Sequence, residues 1–131
     1  MMSVTQAIQL LETSIQDIQS LFNQPAQPEK LSQFMRCFSK DFEMIAVSGT
    51  QMNLNQLEDM FNLNMGAFPD LTIEIENITV IMHTPDLVLL RYQENQHKAG
   101  HSHYRIATAC MEFHVEHCVW RYLHETPINN S

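Results

Sequence analysis

The chain has 131 residues, 44% of them hydrophobic and 17% charged, which predicts a single compact soluble domain over 1–131 with enough apolar side chains for a core. Fifteen acidic against seven basic residues give a formal charge of -8, and no cluster of Lys or Arg is available to hold a phosphate backbone or an anionic bilayer. Nucleic acid and membrane are therefore excluded as expected partners.

The first helix is predicted to start at Ser3, whose hydroxyl can cap while Gln6 reaches back. Ile8, Leu11, Ile15, Ile18 and Phe22 then recur at steps of three and four, giving one apolar, core-facing stripe. Pro25 and Pro28 end that helix, because proline cannot continue the hydrogen-bond ladder. A second helix is expected from about Glu29, burying Leu31, Phe34, Met35 and Phe38. Phe42 to Ser48 reads as a short strand, punctuated by Gly49. Asn53 or Asn55 can cap a third helix carrying Leu54, Leu57, Phe61 and Met65 on one side, stopped by Gly66 and Pro69.

From Leu71 the hydrophobic period changes to two. Ile73 and Ile75 share one parity while Ile78, Val80 and Met82 share the other, which predicts a β-bulge around Glu76-Asn77. Thr84-Pro85-Asp86 turns the chain into a strand from Leu87 to about Asn95. A polar loop, Gln96 to Gly100, leads to a long strand from about Ser102 to Val115, and a turn at Glu116-His117 opens the last strand, Cys118 to Thr126.

A two-residue turn at Glu116-His117 would set Phe113 opposite Trp120, Met111 opposite Tyr122, Ala109 opposite His124 and Ala107 opposite Thr126. Arg105 continues that face, and a loop of about five residues before the long strand would add Leu89 and Arg91. This graded face is expected to point inward. The opposite face, with Ile106, Thr108, Cys110, Glu112, Arg121 and Leu123, would then point outward, Glu125 with it.

The stretches Tyr104-Arg105-Ile106-Ala107 and Trp120-Arg121-Tyr122-Leu123-His124-Glu125-Thr126-Pro127, behind two opening helices, a third mid-chain helix and a closing meander of strands, resemble the nuclear transport factor 2-like superfamily in its SnoaL-like and uncharacterised branches. The resemblance implies an α+β cone, with three helices packed on a strongly curved antiparallel sheet and a pocket between them. It also implies a homodimer through the outer sheet face. Superfamily members that catalyse isomerisation, dehydration or aldol-type ring closure use His, Asp or Tyr groups lining the cone. Two functions follow for this chain: a small-molecule-binding protein, in its catalytic form an isomerase, lyase or hydrolase, or a non-catalytic dimeric interaction module.

His124 and Arg105 are the candidate catalytic pair. A His exchanges protons near neutral pH, and an Arg holds a carboxylate or a developing oxyanion, which favours an acidic or carbonyl-bearing small molecule. The alternative is structural, with Arg105 pairing a carboxylate and His124 bonding the backbone or Tyr122. Tyr122, Trp120, Arg91 and Met111 are candidate ligand contacts, although a lone Trp beside a Phe is more often core, so Trp120 is read as core and Tyr122 is left open. His97, His101 and His103 form a ligand-like cluster, but no Cys or carboxylate follows at a matching interval, so neither metal nor cofactor is expected. Cys37, Cys110 and Cys118 show no Cys-x-x-Cys spacing, and Met1 to Gln6 lacks a basic segment, which together predict reduced thiols in a cytoplasmic protein.

Overall fold

The structure, a computed structural model, describes residues 4–128, so the Ser3 cap lies outside the described residues. Helices α1 (Val4–Asn23) and α2 (Pro28–Met35) lead into strand β1 (Phe38–Ile45) and a short strand β2 (Gln51–Asn53). Helix α3 (Leu54–Asn64) precedes four strands, β3 (Thr72–His83), β4 (Leu87–Lys98), β5 (His101–Phe113) and β6 (Cys118–Pro127).

The apolar stripes account for what each helix buries. Leu11 and Ile15 of α1, Leu31 and Phe34 of α2, and Leu57 and Phe61 of α3 are all in the core. Of the two candidate caps for α3, Asn53 holds the position: its Oδ1 accepts the Gln56 N–H at 2.9 Å while Gln56 Oε1 accepts the Asn53 N–H at 2.9 Å. The end of α1 is fastened to the approach to β3. Asn23 Nδ2 donates to the carbonyls of Phe68 and Leu71, and Gln19 Oε1 accepts the Ile73 N–H at 2.8 Å. Gly66 permits that fastening, since it has φ +71° and a Cβ there would stand 2.6 Å from the Pro25 nitrogen.

The sheet has six strands in the order β2-β1-β6-β5-β4-β3. It is mixed rather than wholly antiparallel, because β1 runs parallel to β6 while the other neighbours are antiparallel. A parallel neighbour needs a crossover, and the long excursion through α3 and β3–β5 supplies it. The bulge expected near Glu76-Asn77 is present: the β3–β4 register shifts between Glu76 and Thr79, and Asn77 has φ 58°.

Two turns differ from expectation, and the first changes which side chains face inward. The β4–β5 connection is a two-residue turn, Ala99-Gly100, with φ of 52° and 77°, not a five-residue loop. Positive φ at both central residues matches the twist of the flanking strands. Leu90, Tyr92 and Glu94 therefore face inward and are buried, whereas Arg91 faces outward between Thr79 and Thr108. The β5–β6 turn spans His114–His117, closed by the His114 N–H donating to the His117 carbonyl at 2.8 Å. Phe113 accordingly pairs with Cys118 and Met111 with Trp120.

A bulge at Arg121 then shifts the register of β6 again, so that Ala109 pairs with Leu123 and Ala107 with Glu125. The expected pairing is off by one residue along this stretch. In a structure of period two, that slip exchanges the faces: Leu123 and Glu125 point inward, and Tyr122 and His124 point outward.

Candidate functional site

Between helices α1 and α3 and the inner face of the sheet lies a cavity of about 480 Å³. Its helical wall is apolar, with Ile15, Ile18 and Phe22 of α1 and Leu57, Met60 and Phe61 of α3. Phe38, Phe42, Met44 and Met52 of β1 and β2, with Trp120 and Leu123 of β6, extend that lining. Trp120 is held by ring stacking on Phe38, with centroids 6.0 Å apart, and by its indole N–H, which donates to Ser14 Oγ at 2.9 Å.

Polar groups converge on one wall. The inward residues of β4 run Val88, Leu90, Tyr92, Glu94, Gln96, Lys98, turning from apolar to polar along one face; the last four line the cavity. Arg105 on β5 and Glu125 on β6 complete the group. Arg105 Nη1 lies 3.4 Å from both carboxylate oxygens of Glu125, and its Nε lies 4.0 Å from Glu94 Oε2. Gln96 Nε2 donates to the same Glu94 oxygen at 2.6 Å. The Arg105 Nε–H is buried without a hydrogen-bond acceptor.

Two carboxyls thus share one guanidinium in a buried surrounding. Glu94 is 5% exposed and Glu125 9% exposed. Burial, then the neighbouring Glu94, pushes the Glu125 carboxyl up to about 7, against Arg105 and a hydrogen bond from the Val47 backbone. Burial likewise raises Glu94, opposed by the Gln96 hydrogen bond and Arg105. Tyr92 stays a neutral phenol, its titration driven well up by burial and by both carboxylates. The cluster can therefore exchange a proton near neutrality through Glu125.

The residues singled out from the sequence divide between the two faces. Arg105 and Trp120 line the cavity, and Met111 is fully buried opposite Trp120 without lining it. His124 is exposed on the outer face, where its Nδ1 lies 3.5 Å from Tyr122 Oη, and Arg91 is exposed on that face too. The expected pair of His124 with Arg105 is consequently split across the sheet, because the bulge at Arg121 reverses the parity of β6 beyond it, whereas the four-residue turn moves the register by two and leaves the faces unchanged. Arg105 is also already engaged by two carboxylates, so its charge does not stand free for an acidic ligand. Glu94 and Glu125 were missed. The available signal was in β4: Glu94 continues the alternation of Val88, Leu90 and Tyr92, and a carboxylate on a buried parity needs a cation.

The histidine cluster is spread over the hairpin. His97 Nδ1 meets Ser102 Oγ at 2.7 Å and its Nε2 meets Glu74 Oε1 at 3.1 Å, while His101 and His103 are exposed. Among the described residues no group of three or more His, Cys, Asp or Glu side chains is placed to hold a metal ion. No helix among them is long and apolar enough to cross a membrane.

No protein-family model matches the chain, and no curated protein matches it by sequence. Solved structures do match. An NTF2-like protein of unknown function from Pseudomonas aeruginosa superimposes with a TM-score of 0.90 at 24% identity, over 94% of this chain and 98% of that one. A second NTF2-like protein of unknown function, from Pseudomonas putida, gives 0.74 at 14% identity, covering 96% and 87% of the two chains. The beta subunit of benzoate 1,2-dioxygenase from Burkholderia mallei gives 0.75 at 12% identity, covering 98% and 93%. The chain has the nuclear transport factor 2-like fold. That one fold serves an oxygenase subunit and proteins of unknown function, so activity has to be argued from the site.

Proposed function

We propose that this chain, nuclear transport factor 2-like in architecture, is a small-molecule-binding protein whose ligand occupies the cavity between helices and sheet. The observation that carries the reading is the cavity itself, about 480 Å³ with apolar walls and one buried polar cluster. Protein interiors are close-packed, and voids of this size are characteristic of ligand sites rather than of imperfect packing. An apolar lining supplies affinity, and a few convergent polar groups supply orientation. In a catalytic form of this proposal, isomerase, lyase or hydrolase, Glu125 is the general acid or base and Arg105 orients it. His124 takes no part, being on the other face.

The test is a thermal-shift screen of apolar small molecules on the parent protein and on Ala46→Phe, which places a ring in the cavity lining. A hit should raise the melting temperature of the parent and lose that effect in the variant, whose own unliganded melting temperature shows that it folds. Equal stabilisation of both proteins would put the ligand elsewhere and defeat the reading.

The dimeric-module reading draws on the outer face. Ile106 is 42% and Met82 55% exposed there, beside Leu89, Cys110 and Tyr122. We propose that two copies meet on this surface, since closed pairing of one patch with itself is the common route to a dimer. Thr108→Arg should then convert a dimer measured by light scattering into monomer; an unchanged mass rejects that interface.

A further inference from the structure

We infer that the cavity takes an apolar molecule bearing one protonated amine, its ammonium seated against Glu94 and Glu125 and its body against the aromatic walls. The inference rests on the cavity being a ligand site, as proposed above, and adds the chemical class. Three observations point the same way.

The first is charge. Two carboxylates face one guanidinium, which leaves the buried cluster one negative charge in excess when both are ionised. Lys98 lines the same cavity but does not offset it. Its Nζ sits 3.8 Å over the Phe68 ring, and it lies beyond Gln96 along β4. At a strand rise of about 3.3 Å per residue, its Cα is roughly 13 Å from that of Glu94.

The second is unused hydrogen-bonding capacity. A carboxylate only accepts. Both contacts from Arg105 to Glu125 are long, at 3.4 Å, so the Glu125 oxygens retain room for shorter bonds from a ligand's N–H groups.

The third is the company the carboxylates keep. Phe38, Phe42, Tyr92 and Trp120 line the same cavity, and the face of an aromatic ring attracts a cation, most strongly where water is excluded. An anionic ligand would bring a third negative charge to this wall. A neutral ligand would leave the carboxyl pair to balance itself by holding a proton.

An ammonium therefore competes with that proton. The groups facing Glu125 are Glu94 and Tyr92 from β4, Arg105 from β5 and the Val47 backbone, while α1 and α3 present only apolar side chains to the cavity. With Glu125 titrating about 7, binding of the amine strengthens as pH rises. The gain is about tenfold between about pH 6 and about pH 8, and binding is nearly flat above.

Phenylbutylamine, with its neutral and anionic counterparts phenylbutanol and phenylbutyrate, tests the class by isothermal titration against the parent, Ala46→Phe and Glu125→Gln. The amine is expected to bind the parent more tightly than either counterpart, with the stated pH dependence, and to lose binding in Ala46→Phe. Glu125→Gln should weaken the amine about tenfold or more at about pH 8 and flatten its pH profile, while phenylbutanol binds as before and reports an intact cavity. If the alcohol or the acid binds as well as the amine, or the amine binds Glu125→Gln unchanged, the inference is overturned and the cavity reading stands. If none of the three binds the parent, both fall.

Discussion

His124 and Glu125 are consecutive on β6, yet one is exposed to water and the other is 9% exposed in a cavity wall. His124 has as its neighbour a wet Tyr122 hydroxyl, while Glu125 has a guanidinium, a second carboxylate and apolar walls. The inner environment changes the chemistry of its residue: burial carries a carboxyl, ordinarily ionised well below neutrality, up to about 7. A histidine, the residue type whose ordinary titration is closest to neutrality, stands outside the cavity, and the proton-exchanging role inside falls to a carboxyl. Medium outweighs residue type in deciding where such a role sits.

The comparison breaks most visibly if the inner face is not the structural one. Trp120→Ala removes the stack on Phe38 and the bond to Ser14, and should cost about 3–5 kcal/mol in urea unfolding. A loss near that of an outer-face residue would mean that the indole is not packed as described.

The electrostatic half of the comparison is read from pH. Glu125 has a folded value of about 7 against an ordinary 4.5, so the folded state holds the proton more tightly than the unfolded chain. Its contribution is thus fully present below about pH 4.5 and is lost as pH rises to about 7, a fall of about 3 kcal/mol. Glu125→Gln should remove this part of the pH dependence, leaving the variant more stable relative to parent at about pH 8 than at about pH 5. A parent-like slope in the variant would place the titration on another group.

Volume separates the faces in the same way. Ala107 is fully buried opposite Glu125, and Thr108, its neighbour, is on the outer side. Ala107→Val should cost about 1–3 kcal/mol through overpacking, whereas Thr108→Val should be close to neutral by the same denaturation measurement. The smallest effect is expected at the residue that drew most attention in the sequence: His124→Ala should change stability by no more than about 0.5 kcal/mol and leave ligand binding in the cavity intact. A variant that lost binding would return the site to the outer face.

Much of the architecture was legible. The stripes of α1, α2 and α3, a cap for α3 at Asn53 or Asn55, the parity switch near Asn77 and the start of β6 at Cys118 all follow from local spacing and local hydrogen bonding. The candidate site was half legible. Arg105 and Trp120 were placed on the inner face, while His124 and Tyr122 were assigned to it because nothing local announces the bulge at Arg121, and Arg91 by a loop three residues too long.

By itself, then, the sequence determined the elements, because a helix or strand announces itself through periodicity within a few residues of chain. It also determined that Glu94 follows the parity of Leu90 and Tyr92. The tertiary structure decided which β6 residues join them. A strand's two faces look alike until turn length and bulges pin its register, and a shift of one residue exchanges them completely. Only the assembled sheet under its helices brought Glu94, Arg105 and Glu125 from three strands to one cavity wall, where burial raises the titration of both carboxyls.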